Sequence, residues 1–169
     1  MAGSLVQVAT NTVTSAVASV TLTGIDSDDV YMIAVNNVAP TTDGATPIFR
    51  VTKSGTAQTD SEYDYAVKQL RTDTTFGNNA EVNIDSFKTN DIGTNTGEVL
   101  NMIVYLYNFN LSSEYSFITQ EISQISSSGL HRGRQGGAVH TVASASDGMQ
   151  FLMSSGNIAS GTFTLYKVV

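Results

Sequence analysis

The chain has 169 residues, 8 Lys+Arg against 15 Asp+Glu, a formal net charge of −7, and neither Cys nor Trp. That balance excludes a simple basic nucleic-acid binder, which must neutralise a run of phosphates. The missing Cys excludes a disulfide scaffold, a thiol nucleophile and a Cys-ligated zinc.

Charged residues make up 14% of the chain, while 21 Thr, 19 Ser and 17 Val lean it toward β-structure. Residues 1–12 read as an N-terminal arm or first strand, with residues 4–8 as the strand candidate. Residues 13–169 read as a single β-sandwich domain. Ser19-Val20-Thr21-Leu22-Thr23 alternates with period two, apolar on one face and hydroxylated on the other. After a turn at 24–29, Val30-Tyr-Met-Ile-Ala-Val35 is apolar on both faces. Such strands lie mid-sandwich or beneath a neighbouring subunit. Turn signals at 40–44 and 54–61 flank a strand at 46–52, and a strand at 63–70 precedes a turn at Gly77-Asn-Asn79. Next come strands at 81–85 and 99–107, the latter again apolar on both faces, separated by a turn at 90–97. Residues 113–125 contain Ile118, Ile122 and Ile125, a spacing that also fits a short helix, but the aromatic and hydroxyl-rich context favours strand. Turns at 126–129 and 154–157 and strands at 137–142, 149–153 and 161–168 complete the chain. Roughly ten such strands predict an all-β, antiparallel, jelly-roll-like sandwich.

Few residues suggest chemistry. His131 and His140 are the two histidines; no Gly-x-Ser-x-Gly elbow accompanies them, and with forty Ser and Thr a chance His–hydroxyl pairing is easy. Gly129-Leu-His-Arg-Gly-Arg-Gln-Gly-Gly137 reads as a basic, glycine-rich loop. Its Arg132 and Arg134 suit a polar contact with an acidic surface better than a phosphate cradle, because the Lys-Ser/Thr ending of a P-loop is missing. Asp26-Ser-Asp28-Asp29 is dense in carboxylate but fails the EF-hand spacing, and reads as an Asx-capped turn. Glu62 and Asp64 share a strand face without a facing acid for glycosidase chemistry. The seven tyrosines (Tyr31, Tyr63, Tyr65, Tyr105, Tyr107, Tyr115, Tyr166) suit cross-strand packing or a weak sugar platform. No enzyme, cofactor or metal is expected. Neither a secretory leader nor an apolar run long enough for a transmembrane helix is found, so the Asn110-Leu-Ser112 sequon is read as chance and no membrane partner is expected.

The stretch Gly148-Met-Gln-Phe-Leu-Met-Ser-Ser-Gly-Asn-Ile-Ala-Ser-Gly-Thr-Phe-Thr-Leu-Tyr-Lys-Val-Val169 resembles the ending of a family of small virion proteins of tailed marine phages, cyanophages in particular. Thr59-Asp-Ser-Glu-Tyr-Asp-Tyr65, Leu106-Tyr-Asn-Phe-Asn110, Ser113-Glu-Tyr-Ser-Phe-Ile118 and the Thr14–Thr23 and Val30–Val35 strands resemble the same family. Lys167 departs from its usual Gly, and Phe109 from a common Pro. Members are structural, decoration or tail-fibre proteins, so the resemblance implies a virion location, on the capsid exterior or on the tail.

The expectation is therefore a capsid decoration (cement) protein whose partners are the major capsid protein and identical subunits, in a homotrimer. Obligate interfaces are poor in charge, as these strands are. The alternative is a tail-fibre tip or receptor-binding, lectin-like module recognising host surface glycan, which predicts a concave aromatic or acidic pocket. Candidate interface residues are Leu5, Val6 and Val8 in the N-terminal segment, and His131, Arg132 and Arg134 in the basic loop.

Overall fold

The computed structural model describes residues 3–169, which form thirteen strands and no helix. In chain order these are β1 (Leu5–Val13), β2 (Ser19–Thr23), β3 (Tyr31–Pro40), β4 (Pro47–Lys53), β5 (Thr56–Ala57), β6 (Tyr63–Arg71), β7 (Phe76–Ile84), β8 (Phe87–Lys88), β9 (Leu100–Tyr107), β10 (Ser116–Ile125), β11 (His131–His140), β12 (Gly148–Met153) and β13 (Ile158–Val168). All pairings are antiparallel. One sheet has eight strands in the order β1-β13-β3-β9-β10-β11-β6-β7; the other runs β2-β12-β4-β5, with β8 also on β4. The expected antiparallel sandwich is present, built from sheets of unequal width.

Cross-strand rows carry the core. Leu165, Ile33 and Val104 lie opposite one another on adjacent strands and are fully buried. Burying each such side chain contributes about 1.5–3 kcal/mol. An aromatic chain ties the sheets together. Phe163 of β13 meets Phe151 of β12 (ring centroids 5.1 Å apart), Phe151 meets Phe49 (5.9 Å), Phe49 meets Phe87 (6.3 Å), and Phe87 returns to the wide sheet at Tyr63 (4.8 Å, edge to face).

Turn chemistry holds the connections. The Asp26–Asp29 segment is a turn in which the Tyr31 hydroxyl donates to Asp26 Oδ1 and the Ser27 hydroxyl to Asp29 Oδ2. Lys167 places Nζ 2.7 Å from Asp29, whose carboxyl is held low by the Lys167 and Ser27 hydrogen bonds. Among the described residues no cluster of three or more His, Asp or Glu could hold a metal ion. In the 154–157 turn, Gly156 has φ 68°, and a Cβ there would lie 2.3 Å from the Thr42 hydroxyl, so only glycine fits.

Three sequence expectations need correction. Gly77-Asn-Asn79 is not a turn; it lies inside β7. The basic loop at 129–137 is not a loop; the turn ends near Gly129 and the chain runs as β11 from His131. β1 extends to Val13, where the sequence placed a strand over residues 4–8. In each case pairing with a neighbour overrides weak local propensity: β11 is matched residue by residue to β10 on one side and β6 on the other. The Ile118/Ile122/Ile125 segment is strand, with Ser116, Ile118, Gln120, Ile122 and Gln124 alternately buried.

Candidate functional site

The outer face of the wide sheet, turned away from the five-stranded sheet, carries the most distinctive surface of the molecule. Its floor follows from β11. Strand alternation directs Gly133, Gln135 and Gly137 outward, and the residues opposite on β6 and β7 are also small: Gly137 faces Ala66, which faces Ala80. The flanks are large and apolar. Ile103 and Tyr105 of β9 and Phe117 of β10 stand on one side; Leu70 of β6 with Phe76 and Val82 of β7 stand on the other, each more than a third exposed. The result is a row of adjoining hollows. One of about 640 Å³ is lined by Asp64, Ala66, Ala80, Val82, Phe117 and Val139, among others. A second, of about 380 Å³, is lined by Asn101, Ile103, Glu121, Ser123, Gly133 and Gln135. A third adds Tyr105, Tyr107 and Thr119 and shares Ile103, Glu121 and Gln135 with the second.

Glycine within a central strand weakens it, and often marks close approach by another chain or a ligand. The glycines of β11 divide by face. A Cβ on Gly136, which faces inward, would lie 2.4 Å from the Ala66 carbonyl oxygen, so the fold itself demands glycine there. A Cβ on Gly133 would make only ordinary contacts at 3.7 Å or more. Nothing in the fold requires Gly133 to be bare; its effect is to keep the trough open.

The inner face of the same strand is polar. Arg134 is 1% exposed and lies over the Tyr65 ring, 5.0 Å from its centroid. Tyr65 donates to Glu81 Oε1 at 2.8 Å, which brings a carboxylate near the cation. No acceptor among the described residues hydrogen-bonds the guanidinium nitrogens. Burial pushes the Arg134 pKa down, against the opposing pull of Tyr65 and Glu81. His140 is also 1% exposed, packed on the Tyr63 ring, and burial lowers its pKa. Glu62 Oε2 lies 3.6 Å from its Nε2, too long for a hydrogen bond, so burial prevails and favours the neutral imidazole. Arg132 pairs with Asp91. Burial opposes the Asp91 charge, but the Ser127 hydroxyl and Arg132 outweigh it and hold the carboxyl low. This pair pins the 85–99 segment beneath β10 and β11, together with Gln124, which donates to the Asn90 and Asp91 carbonyls.

The sequence-derived interface residues therefore separate into distinct environments. Leu5 and Val6 are half exposed on β1, at one edge of the sheet, with Val8 less so. His131 is exposed at the start of β11, Arg132 is engaged by Asp91, and Arg134 is core. The two groups are five strand spacings apart in the sheet order, roughly 24 Å. His131 Nε2 lies 3.0 Å from Ser123 Oγ, yet no carboxylate among the described residues bonds its other nitrogen, as an acyl-transfer dyad would need. Of the tyrosines, Tyr31, Tyr63 and Tyr65 are buried and Tyr105 and Tyr115 are exposed. Sequence reasoning missed Tyr105, Phe117, Gly133 and Gly137 as one surface. The available signal was the 99–107 run, apolar on both faces, together with glycines at alternate positions two strands away.

No family model matches the chain, and none of the curated proteins matches it.

Proposed function

We propose that this chain is a non-enzymatic virion structural protein, a capsid decoration (cement) protein that docks on the outer shell and is present in many copies. The reading rests on one observation: Leu70, Phe76, Val82, Ile103, Tyr105 and Phe117 stand exposed around one trough on one sheet face. Clustered exposed apolar side chains mark interaction surfaces, and aromatic anchors around a pocket carry most of the energy of a protein interface. A protein that binds only the expanded shell stabilises that state by mass action. The resemblance to phage virion proteins supplies the identity of the partner, the major capsid protein.

The test is occupancy on purified shells. Tyr105→Glu with Phe117→Glu places two charges in the trough wall at exposed positions and leaves the core untouched. Loss of shell binding with an unchanged melting temperature is the expected result. Full occupancy by the double variant, or copy numbers restricted to a few per tail, overturns the reading.

A second reading has its own observation. Tyr105 and Tyr107 lie beside Glu121 and Gln135, which are joined by a hydrogen bond of 3.3 Å, in a polar-aromatic hollow of the kind that takes sugars. It supports a receptor-binding role toward host surface glycan. Saturable binding on a glycan array, lost in Tyr105→Ala, supports that function; a blank array removes it.

A further inference from the structure

The edge strands of a sheet present unpaired backbone N–H and C=O groups, and proteins blunt them by brevity, charge, proline or bulges. Three of the four edges here are blunted. In the narrow sheet one edge is β2, five residues long, and the other ends in the two-residue strands β5 and β8. In the wide sheet, β7 carries Glu81, which faces Lys88 at 3.9 Å. Its register with β6 breaks between Tyr63 and Tyr65, and Asn83, at φ 53°, turns its N–H onto Asp64 Oδ1.

β1 is different. Its nine residues, Leu-Val-Gln-Val-Ala-Thr-Asn-Thr-Val, include no charge and no proline, and all but Ala9 and Val13 are exposed. Its register with β13 also shifts between Gln7 and Ala9, a bulge at Val8 that leaves two open runs, Leu5–Gln7 and Thr10–Thr12, uncharged on either side. Ser4 and Val169 exchange both backbone hydrogen bonds, at 2.6 and 2.9 Å. Antiparallel alternation then directs the N–H and C=O of Leu5 and Gln7 away from β13, and the same parity along β13 does so for Thr10 and Thr12.

We propose that β1 pairs with β1 of a second copy, antiparallel about a two-fold axis, so that the two wide sheets become one continuous sheet. Charge identifies the occupant. Each copy carries −7, so copies repel wherever carboxylates meet, yet no charged residue precedes Asp26 and the β1 edge can approach its own image without that cost. A foreign acidic or basic strand finds nothing there to select it. A two-fold contact is self-complementary: the Leu5–Val8 run of each copy lies against the Thr10–Val13 run of the other across the seam. Its product is a dimer, in place of the trimer expected from the sequence. The pairing does not depend on the virion reading, and either can fail alone.

The experiment is the mass of the full chain in solution. Light scattering at micromolar concentration should give twice 17.9 kDa. Gln7→Pro removes only an outward N–H, which an edge tolerates, and should return the mass to the single-chain value with the circular dichroism unchanged. Gln7→Lys with Thr12→Lys keeps every backbone bond and lowers the net negative charge. It should still weaken the dimer by at least roughly tenfold, because like charges then meet across the seam. In hydrogen exchange, the amides of Leu5 and Thr10 should be slow in the dimer and fast in the double-lysine variant. A wild-type monomer, a trimer, or a dimer that survives both variants overturns the proposal.

Discussion

The eight-stranded sheet has two halves that solve the same problem differently. In β1–β13–β3–β9 the inner face is aliphatic and aromatic and lies under the narrow sheet, as in the Leu165–Ile33–Val104 row. In β10–β11–β6–β7 the inner face mixes buried apolar Ile118, Ile122, Tyr63, Tyr65 and Val67 with Gln120, Gln124, Arg134 and His140, while the outer face, together with Ile103 and Tyr105 of β9, carries the apolar flanks of the trough. The first half hides its apolar side and stabilises the fold by burial. The second half admits polar groups among its buried apolar ones, where they cost desolvation, and leaves Leu70, Phe76, Val82 and Phe117 exposed on its outer face.

The largest expected effect separates the halves by burial. Phe49→Ala removes a ring between Phe87 and Phe151, and should cost about 3–5 kcal/mol in urea unfolding. A smaller loss would mean that the sheets are less closely joined than the aromatic chain implies. The two faces of β11 come next. Gly136→Ala should cost at least about 2 kcal/mol, because its Cβ meets backbone, whereas Gly133→Ala should stay within about 0.5 kcal/mol while narrowing the trough. Equal costs would remove the distinction between a glycine kept for the fold and one kept for the surface.

The third prediction concerns pH. His140 has a folded pKa depressed by burial. The unfolded chain therefore binds its proton first as pH falls past the ordinary imidazole value of about 6.5, and stability drops from there down to the folded pKa. The slope is at most about 1.4 kcal/mol per pH unit for one site. Denaturation midpoints between pH 7 and 5.5 should show the loss in wild type and a flatter profile in His140→Gln; identical profiles would falsify the neutral buried imidazole. The smallest effect is expected at Arg134. Arg134→Met keeps the volume and removes a desolvated charge, so it should lie within about 1 kcal/mol of wild type or above it. A loss of several kcal/mol would show that the Tyr65–Glu81 surroundings repay the burial in full.

The same division explains what could be read from the sequence. Ser19-Val20-Thr21-Leu22-Thr23 and the Val30 run follow simple polarity rules, and their strands lie where expected. β11 does not. Its inward positions include two arginines and a histidine and its outward ones two glycines, so polarity alternation gives no signal, and Arg and Gly together read as loop. Its hairpin with β10 and its long-range pairing with β6 fix it as strand, and neither is signalled by its own local pattern. The trough was equally hidden, because it forms only where the β6–β7 pair joins the β9–β10–β11 run across the β11–β6 pairing. The edge character of β1 was half visible: the missing charge could be counted, but not which side of the strand lay open.

One topological feature governs how this molecule can be made. β13, the last of the thirteen strands to be synthesised, lies between β1, the first, and β3. On a ribosome, therefore, β1 waits without its partner through most of translation, and the wide sheet remains broken at β3 until residues 158–168 emerge. The pairing of first strand with last spans some 150 residues, a sequence separation that places folding among the slow, non-local β topologies. Until that insertion an uncharged, β-prone segment is exposed in a half-made chain, and a cell producing many copies at once has to hold those chains apart.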